Sequence, residues 1–228
     1  MEKLYHIPHS SLYIPENHIH EYSLSKSELD VENEIMTDLY LYEFVKPYKS
    51  VVFEYSRLFC DVERYNSEDE VMNDVGMGVL YEKTSDGRNL RKIINKDILE
   101  YYNSHHKKLN DRVNELLKNY NKLLFIDLHS YSDKPLEYEL YKNLNRPDIC
   151  IGLNKKYDKK LVEKLIYIIK KFNYSYSINE PFKGCLIPSD FIDDERVEGI
   201  MIEINKRCYI GTDFSKIKEF LKWIEEKI

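Results

Sequence analysis

The sequence predicts a three-layer α/β/α domain around a central mixed β-sheet. Six short runs rich in Leu, Ile, Val, Phe and Tyr have strand length, four longer segments carry helical character, and the two kinds alternate along the chain. In order, "LYHI" (4–7) reads as the first strand, followed by a helix over about 26–46. "SVVFEYS" (50–56) is the second strand, and residues 62–90, rich in Asp, Glu, Asn and Gly, form the longest irregular segment. A segment of that kind in a compact domain is a candidate cover over a site. A helix over about 92–119 follows, with Ile94, Ile98, Tyr102, His105, Leu109, Val113 and Leu116 at three- and four-residue steps. The remaining strands are "LLFIDL" (123–128), "ICIGL" (149–153), "YSYSI" (174–178) and "GIMIEI" (199–204), with helices over about 158–172 and from about 213 onward.

The 228 residues, 43% of them hydrophobic, fit one domain spanning 1–228 with a sizeable core. The 34 basic and 40 acidic residues are spread evenly, and a formal net charge of −6 repels a phosphate backbone, so no nucleic-acid partner is expected. No apolar run is long enough to span a bilayer, and "MEKLYHIPHSS" lacks the basic-then-apolar pattern of a signal peptide. Cys60, Cys150, Cys185 and Cys208 are scattered without a CxxC pair, which points away from a disulfide framework and towards the cytoplasm.

The chemistry-bearing residues collect at strand ends. "LYHIPHSS" leads to His9, "VVFEYSRLFCDVER" to Arg57, Asp61, Glu63 and Arg64, "LLFIDLHS" to His129, and "GIMIEINKR" holds Glu203. Parallel neighbours would converge these groups on one edge of the sheet. Two histidines and a carboxylate with an open position suit a catalytic zinc, a further glutamate suits a general base, and arginines suit a carboxylate or oxyanion. Each residue also has an ordinary reading. His9 and His129 can be satisfied polar residues at strand ends, Glu203 can lie on the solvent face of a half-buried strand, and the arginines can be structural ion-pair partners. His105 and His106, adjacent on a helix, point apart, and His6, His18 and His20 show no partner pattern.

Together the motifs resemble the N-formylglutamate amidohydrolase family along nearly the whole chain. "IPHSS" is similar to its first histidine motif, "MTDLYLYEF" to its Thr-Asp helix, and "SRLFCDVERYNSEDEVMNDVGMGVLYEKTSDGRNLR" to its long arginine and glycine segment. "YYNSHHKKL", "FIDLHSYS", "PDICIGLN", "NEPFKGCLIP" and "IMIEINKRCY" resemble the remaining motifs, in the family's order. The resemblance implies a phosphorylase/hydrolase-like fold related to zinc carboxypeptidases and aspartoacylases. It also implies zinc-dependent hydrolysis of an N-acyl amino acid, N-formyl-L-glutamate giving formate and glutamate, a reaction of one route of histidine breakdown.

By motif, the resemblance makes His9 and His129 metal ligands of one Zn2+ per chain. Carboxypeptidases carry a glutamate three residues after the first histidine, where this chain has Leu12, so Asp38 is taken as third ligand in preference to Glu34. Glu203 matches the catalytic glutamate, Arg57 is assigned to polarise the scissile carbonyl, and Arg64 to grip the substrate carboxylate. Glu63 stands where many relatives carry asparagine, which alters charge preference beside Arg64, and His106 occupies a further family position in the substrate site. Asp127, two residues before His129, alternates to the same face and is a candidate acceptor for its ring. Two other readings remain open: hydrolysis of another N-acyl amino acid or small peptide, and a non-catalytic module that binds an acidic metabolite. Turnover separates the last from the others.

Overall fold

The computed structural model describes residues 1–139 and 141–228. Its strands are β1 (Glu2–Ile7), β2 (Ser50–Val52), β3 (Leu123–Tyr131), β4 (Ile149–Gly152), β5 (Tyr176–Ile178) and β6 (Val197–Asn205). Its helices are α1 (Lys26–Met36), α2 (Leu41–Phe44), α3 (Leu99–Leu117), α4 (Lys159–Lys171) and α5 (Ser215–Lys227). The strands form one sheet in the order β2-β1-β3-β6-β4-β5. β2, β1, β3 and β6 run parallel, while β4 is antiparallel to β6 and parallel to β5. The sheet is therefore mixed and flanked by helices, the α/β architecture the alternating pattern predicts.

Period-two alternation sorts the side chains into layers. Leu124, Ile126 and Leu128 of β3 and Ile200, Ile202 and Ile204 of β6 pack with Leu161, Leu165, Phe220 and Ile224 of α4 and α5. On the opposite face, Leu123 and Phe125 meet Leu109, Val113 and Leu116 of α3. Continuing the odd positions along β3 brings Asp127 and His129 onto the α3 face, with Glu203 opposite His129 in register. Glu203 thus sits not on a solvent face but on the second buried face of a strand covered on both sides.

The structure redraws several elements. His129 lies inside β3 rather than beyond its end, because pairing with β6 extends through Tyr131. The stretch 26–46 is two helices. α1, capped by Ser25 and Glu28, stops at Met36, and Tyr40 turns the chain with a φ of 68°. The break is pinned from outside, since Asp38 N–H donates to His9 O (2.8 Å) and Ser10 Oγ donates to Asp38 O (2.8 Å). β2 is shorter than expected because the chain leaves the sheet after Val52 and coils at Ser56, whose carbonyl accepts from the N–H groups of Phe59 and Cys60. α3 begins at Leu99, after a turn in which Asn95 caps Asp97, and Ile94 is exposed.

The segment after β2 packs as a second apolar cluster with Leu58, Phe59, Met77, Tyr81 and Leu90. At its centre Arg91, fully buried, pairs with Glu21 (3.2 Å), donates to Leu58 O (2.6 Å) and lies over the Tyr22 ring (4.9 Å). Arg91→Ala leaves the buried Glu21 carboxylate with only His18 Nδ1 (2.7 Å) and Asn95 Nδ2 (3.2 Å), removes the donor to Leu58 O, and is expected to lower stability by about 3 kcal/mol. Urea unfolding checks this, and a loss below about 1 kcal/mol would show that the pair is not what holds the cover in place.

Candidate active site

The carboxyl ends of β1, β3 and β6 open into a cavity of about 640 Å³, lined by His9, Asp38, Arg57, Glu63, Arg64, His129 and Glu203 among others. Asp38 is positioned by the α1–α2 break. Its Oδ1 accepts from Ser130 Oγ (3.0 Å), which in turn accepts from the Tyr209 hydroxyl (2.8 Å). Its Oδ2 has no hydrogen-bond partner among the described residues and faces His129 Nδ1 at 3.5 Å and His9 Nδ1 at 3.8 Å. These separations exceed a hydrogen bond but suit donors sharing one ion, since ligand atoms at about 2.1 Å from a metal lie about 3–3.5 Å apart. His9 Nδ1 is likewise buried without a partner among the described residues. His9, Asp38 and His129 therefore form a group that can hold a metal ion.

Both rings have carboxylates on their far sides. His9 Nε2 donates to Asp61 Oδ1 (2.8 Å), and Asp61 Oδ2 accepts from Arg57 Nη2 (2.9 Å) and the Tyr81 hydroxyl (2.5 Å). Burial opposes ionisation of Asp61, but His9, Arg57 and Arg64 outweigh it and hold the carboxyl well below its usual range. Burial, reinforced by the Arg57 charge, pushes His9 down to about 4, the neutral form that a ligand requires. His129 Nε2 lies 3.1 Å from Asp127 Oδ1 and 3.6 Å from Glu63 Oε1. Burial lowers the His129 pKa, yet Asp127, Asp38 and Glu63 together drive it well above its usual value. Carboxylates on both sides thus call for positive charge at this ring, which a proton or a metal ion supplies. Burial raises Glu203 to about 7, with Asp38 and Asp127 reinforcing and His129 and Arg57 opposing.

The two arginines are held differently. Arg57 is committed to Tyr81 through Nε (3.1 Å) and to Asp61 through Nη2. Arg64 is tethered by Nε to Met77 O (3.2 Å), and its two terminal nitrogens have no hydrogen-bond partner among the described residues. Seven of the residues singled out in the sequence thus share one cavity. His106 does not line it. Its Nε2 meets Val62 O (3.0 Å) and its ring packs on Tyr102, so it braces the Asp61–Arg64 segment from behind. Glu34 is exposed on α1, away from the cluster. Asp61 stood in the arginine motif without an assigned role. His6, read as having no partner, is fully buried and bonds Asp127 (2.9 Å) and His105 (2.9 Å). Its spacing within β1, two residues from the core residue Leu4, was the available signal.

A mixed α/β sheet with metal-capable histidine and carboxylate groups lining a cavity at its parallel strand ends is a scaffold of the kind that takes a small molecule at that edge. Residues 1–210 match the family model of N-formylglutamate amidohydrolase. The chain belongs to that family, and so to the hydrolases. Its fold is similar to the crystal structure of N-formylglutamate amidohydrolase from Ralstonia eutropha JMP134, with a TM-score of 0.82 and 16% identity over 99% of this chain and 91% of that one. It is also similar to the gene product Atu2144 from Agrobacterium tumefaciens, with a TM-score of 0.70 and 17% identity over 99% of this chain and 88% of the other. No curated protein sequence matches the chain. Among the described residues, no helix is long and apolar enough to cross a membrane.

Proposed function

We propose that the chain hydrolyses the N-acyl amide of an acidic amino acid, N-formyl-L-glutamate to formate and L-glutamate, with zinc held by His9, Asp38 and His129. The observation that carries this reading is the convergence of His9 Nδ1 and His129 Nδ1 on Asp38 Oδ2, with His9 Nδ1 and Asp38 Oδ2 unpartnered among the described residues, in the cavity that also holds Glu203 and Arg64. Zinc bound there supplies a Lewis acid that acidifies water and polarises an amide carbonyl.

The chain's own residues do the rest. Asp61 holds the His9 ring through Nε2, and Asp127 stands at the corresponding nitrogen of His129, so both rings turn Nδ1 towards Asp38. Glu203 presents Oε2, buried and without a partner among the described residues, to take a proton from the attacking water and pass it to the leaving nitrogen. Arg57, fixed by Asp61 and Tyr81, stabilises the negative charge that develops on the carbonyl oxygen. Arg64 offers two terminal nitrogens on one rigid plane, the arrangement that receives a carboxylate by paired hydrogen bonds. Glu63, beside it, sets the local charge, and His106 keeps the Asp61–Arg64 segment in place.

Formate release from N-formyl-L-glutamate by the zinc-loaded protein tests the proposal. Turnover that a chelator abolishes and added zinc restores is expected; stoichiometric zinc with no formate released overturns the substrate assignment. Arg64→Ala is expected to raise KM for N-formyl-L-glutamate about 10- to 150-fold, from the loss of about 1.5–3 kcal/mol of charge-assisted hydrogen bonding, with a smaller effect on kcat. An unchanged preference for acidic over neutral N-formyl amino acids in this variant would remove Arg64 from substrate recognition.

A further inference from the structure

Orienting one imidazole needs one carboxylate, yet His129 Nε2 faces two. Asp127 and Glu63 both approach it, and His6 closes a second donor group with them. His6 and Asp127 are paired residues of β1 and β3 and are fully buried. His6 Nδ1 is 2.9 Å from Asp127 Oδ1 and 3.7 Å from Glu63 Oε2. The spacing again brackets the separation of about 3–3.5 Å between donors that share an ion.

Two atoms aimed into this space have no hydrogen-bond partner among the described residues. One is Glu63 Oε2. The other is Nε2 of His129, a residue only 4% exposed. Two carboxylates facing each other in a buried site cannot both stay ionised unless a proton or a metal ion lies between them. The surroundings prepare the donors. The Leu186 N–H donates to Asp127 Oδ2 (3.2 Å) and orients that carboxylate. His105 Nε2, 2.9 Å from His6 Nε2, lets His6 keep its proton on Nε2 and turn Nδ1 inward as a lone-pair donor.

We propose that His6 Nδ1, Asp127 and Glu63 hold a second divalent transition-metal ion behind His129, so that the centre is binuclear. One imidazole nitrogen with two carboxylates is a borderline-to-hard donor set that suits Zn2+, Mn2+ or Co2+ and disfavours a thiolate-seeking ion. The proposal rests on reading His9, Asp38 and His129 as the first metal site. It gives Glu63 a task at the metal centre distinct from charge balance beside Arg64.

Titration of the metal-stripped full chain with Zn2+ against a chromophoric chelator, followed by elemental analysis, tests it. Two Zn2+ per chain are expected for the unmutated protein and one for Glu63→Gln. A single equivalent in the unmutated protein at saturating Zn2+ overturns the second site, with or without a folded variant. Two equivalents retained by Glu63→Gln overturn its ligand set. If the single equivalent also disappears in Asp38→Ala, the first site stands and the second alone fails; no bound Zn2+ at all overturns both.

Discussion

Glu203→Gln is expected to lower kcat by about 10²- to 10⁴-fold while leaving metal content that of the unmutated protein. The substitution keeps shape and hydrogen-bonding capacity but removes the basic oxygen. Glu203 is paired in register with His129 on one side and Cys150 on the other, so its backbone position is set by two neighbouring strands and not by its carboxylate. Removing the charge from a buried carboxyl raised to about 7 should disturb the fold little. A loss of activity with intact folding and full metal occupancy therefore reports on proton transfer. Activity within a few-fold of the unmutated protein would eliminate Glu203 as the base and point to another group lining the cavity.

Asp38→Ala should abolish activity together with the part of the zinc-induced stabilisation that the His9–Asp38–His129 site contributes. An ion bound to the native state at one hundred times its Kd stabilises by about 2.7 kcal/mol, and that increment appears as a rise in Tm on zinc addition. Loss of even an outer partner of a metal ligand costs about 10- to 100-fold in affinity, and loss of Asp38 as a ligand should exceed that range. The contacts that shape the α1–α2 break use the Asp38 backbone, donating to His9 O and accepting from Ser10 Oγ, and survive the substitution. The metal-free variant loses the buried bond from Ser130 Oγ to Asp38 Oδ1 (3.0 Å) and should unfold within about 1–3 kcal/mol of the metal-free parent. An unchanged zinc response in Asp38→Ala would transfer the third-ligand role to a different carboxylate.

The residues that carry this chemistry were legible to different depths. His9, His129 and Glu203 stand beside or within apolar runs, and a polar residue in that setting draws attention whatever the fold. Asp38 emerged by motif, but the helical spacing of Leu41 and Phe44 continued across it, so the break that aims its carboxylate was not visible. That break depends on His9 and Ser10, far back along the chain, which capture the Asp38 backbone. His106 is the converse case. Its motif suggested the substrate site, whereas α3 presents it to Val62 O.

Local pattern by itself determined the sheet-and-helix class, the amphipathic face of α3, and the placing of histidines, arginines and a glutamate at or near strand ends. These follow from neighbours a few residues apart, because period two or 3.6 places a side chain on a face before any long-range contact forms. Only the tertiary structure decided that β6 is buried on both sides, that Asp61 links His9 to Arg57, and that His6 meets Asp127 across 121 residues of sequence. Those facts depend on which strands pair and in what register. Register is set by the fit of whole faces against α3, α4 and α5, so no window of sequence contains it.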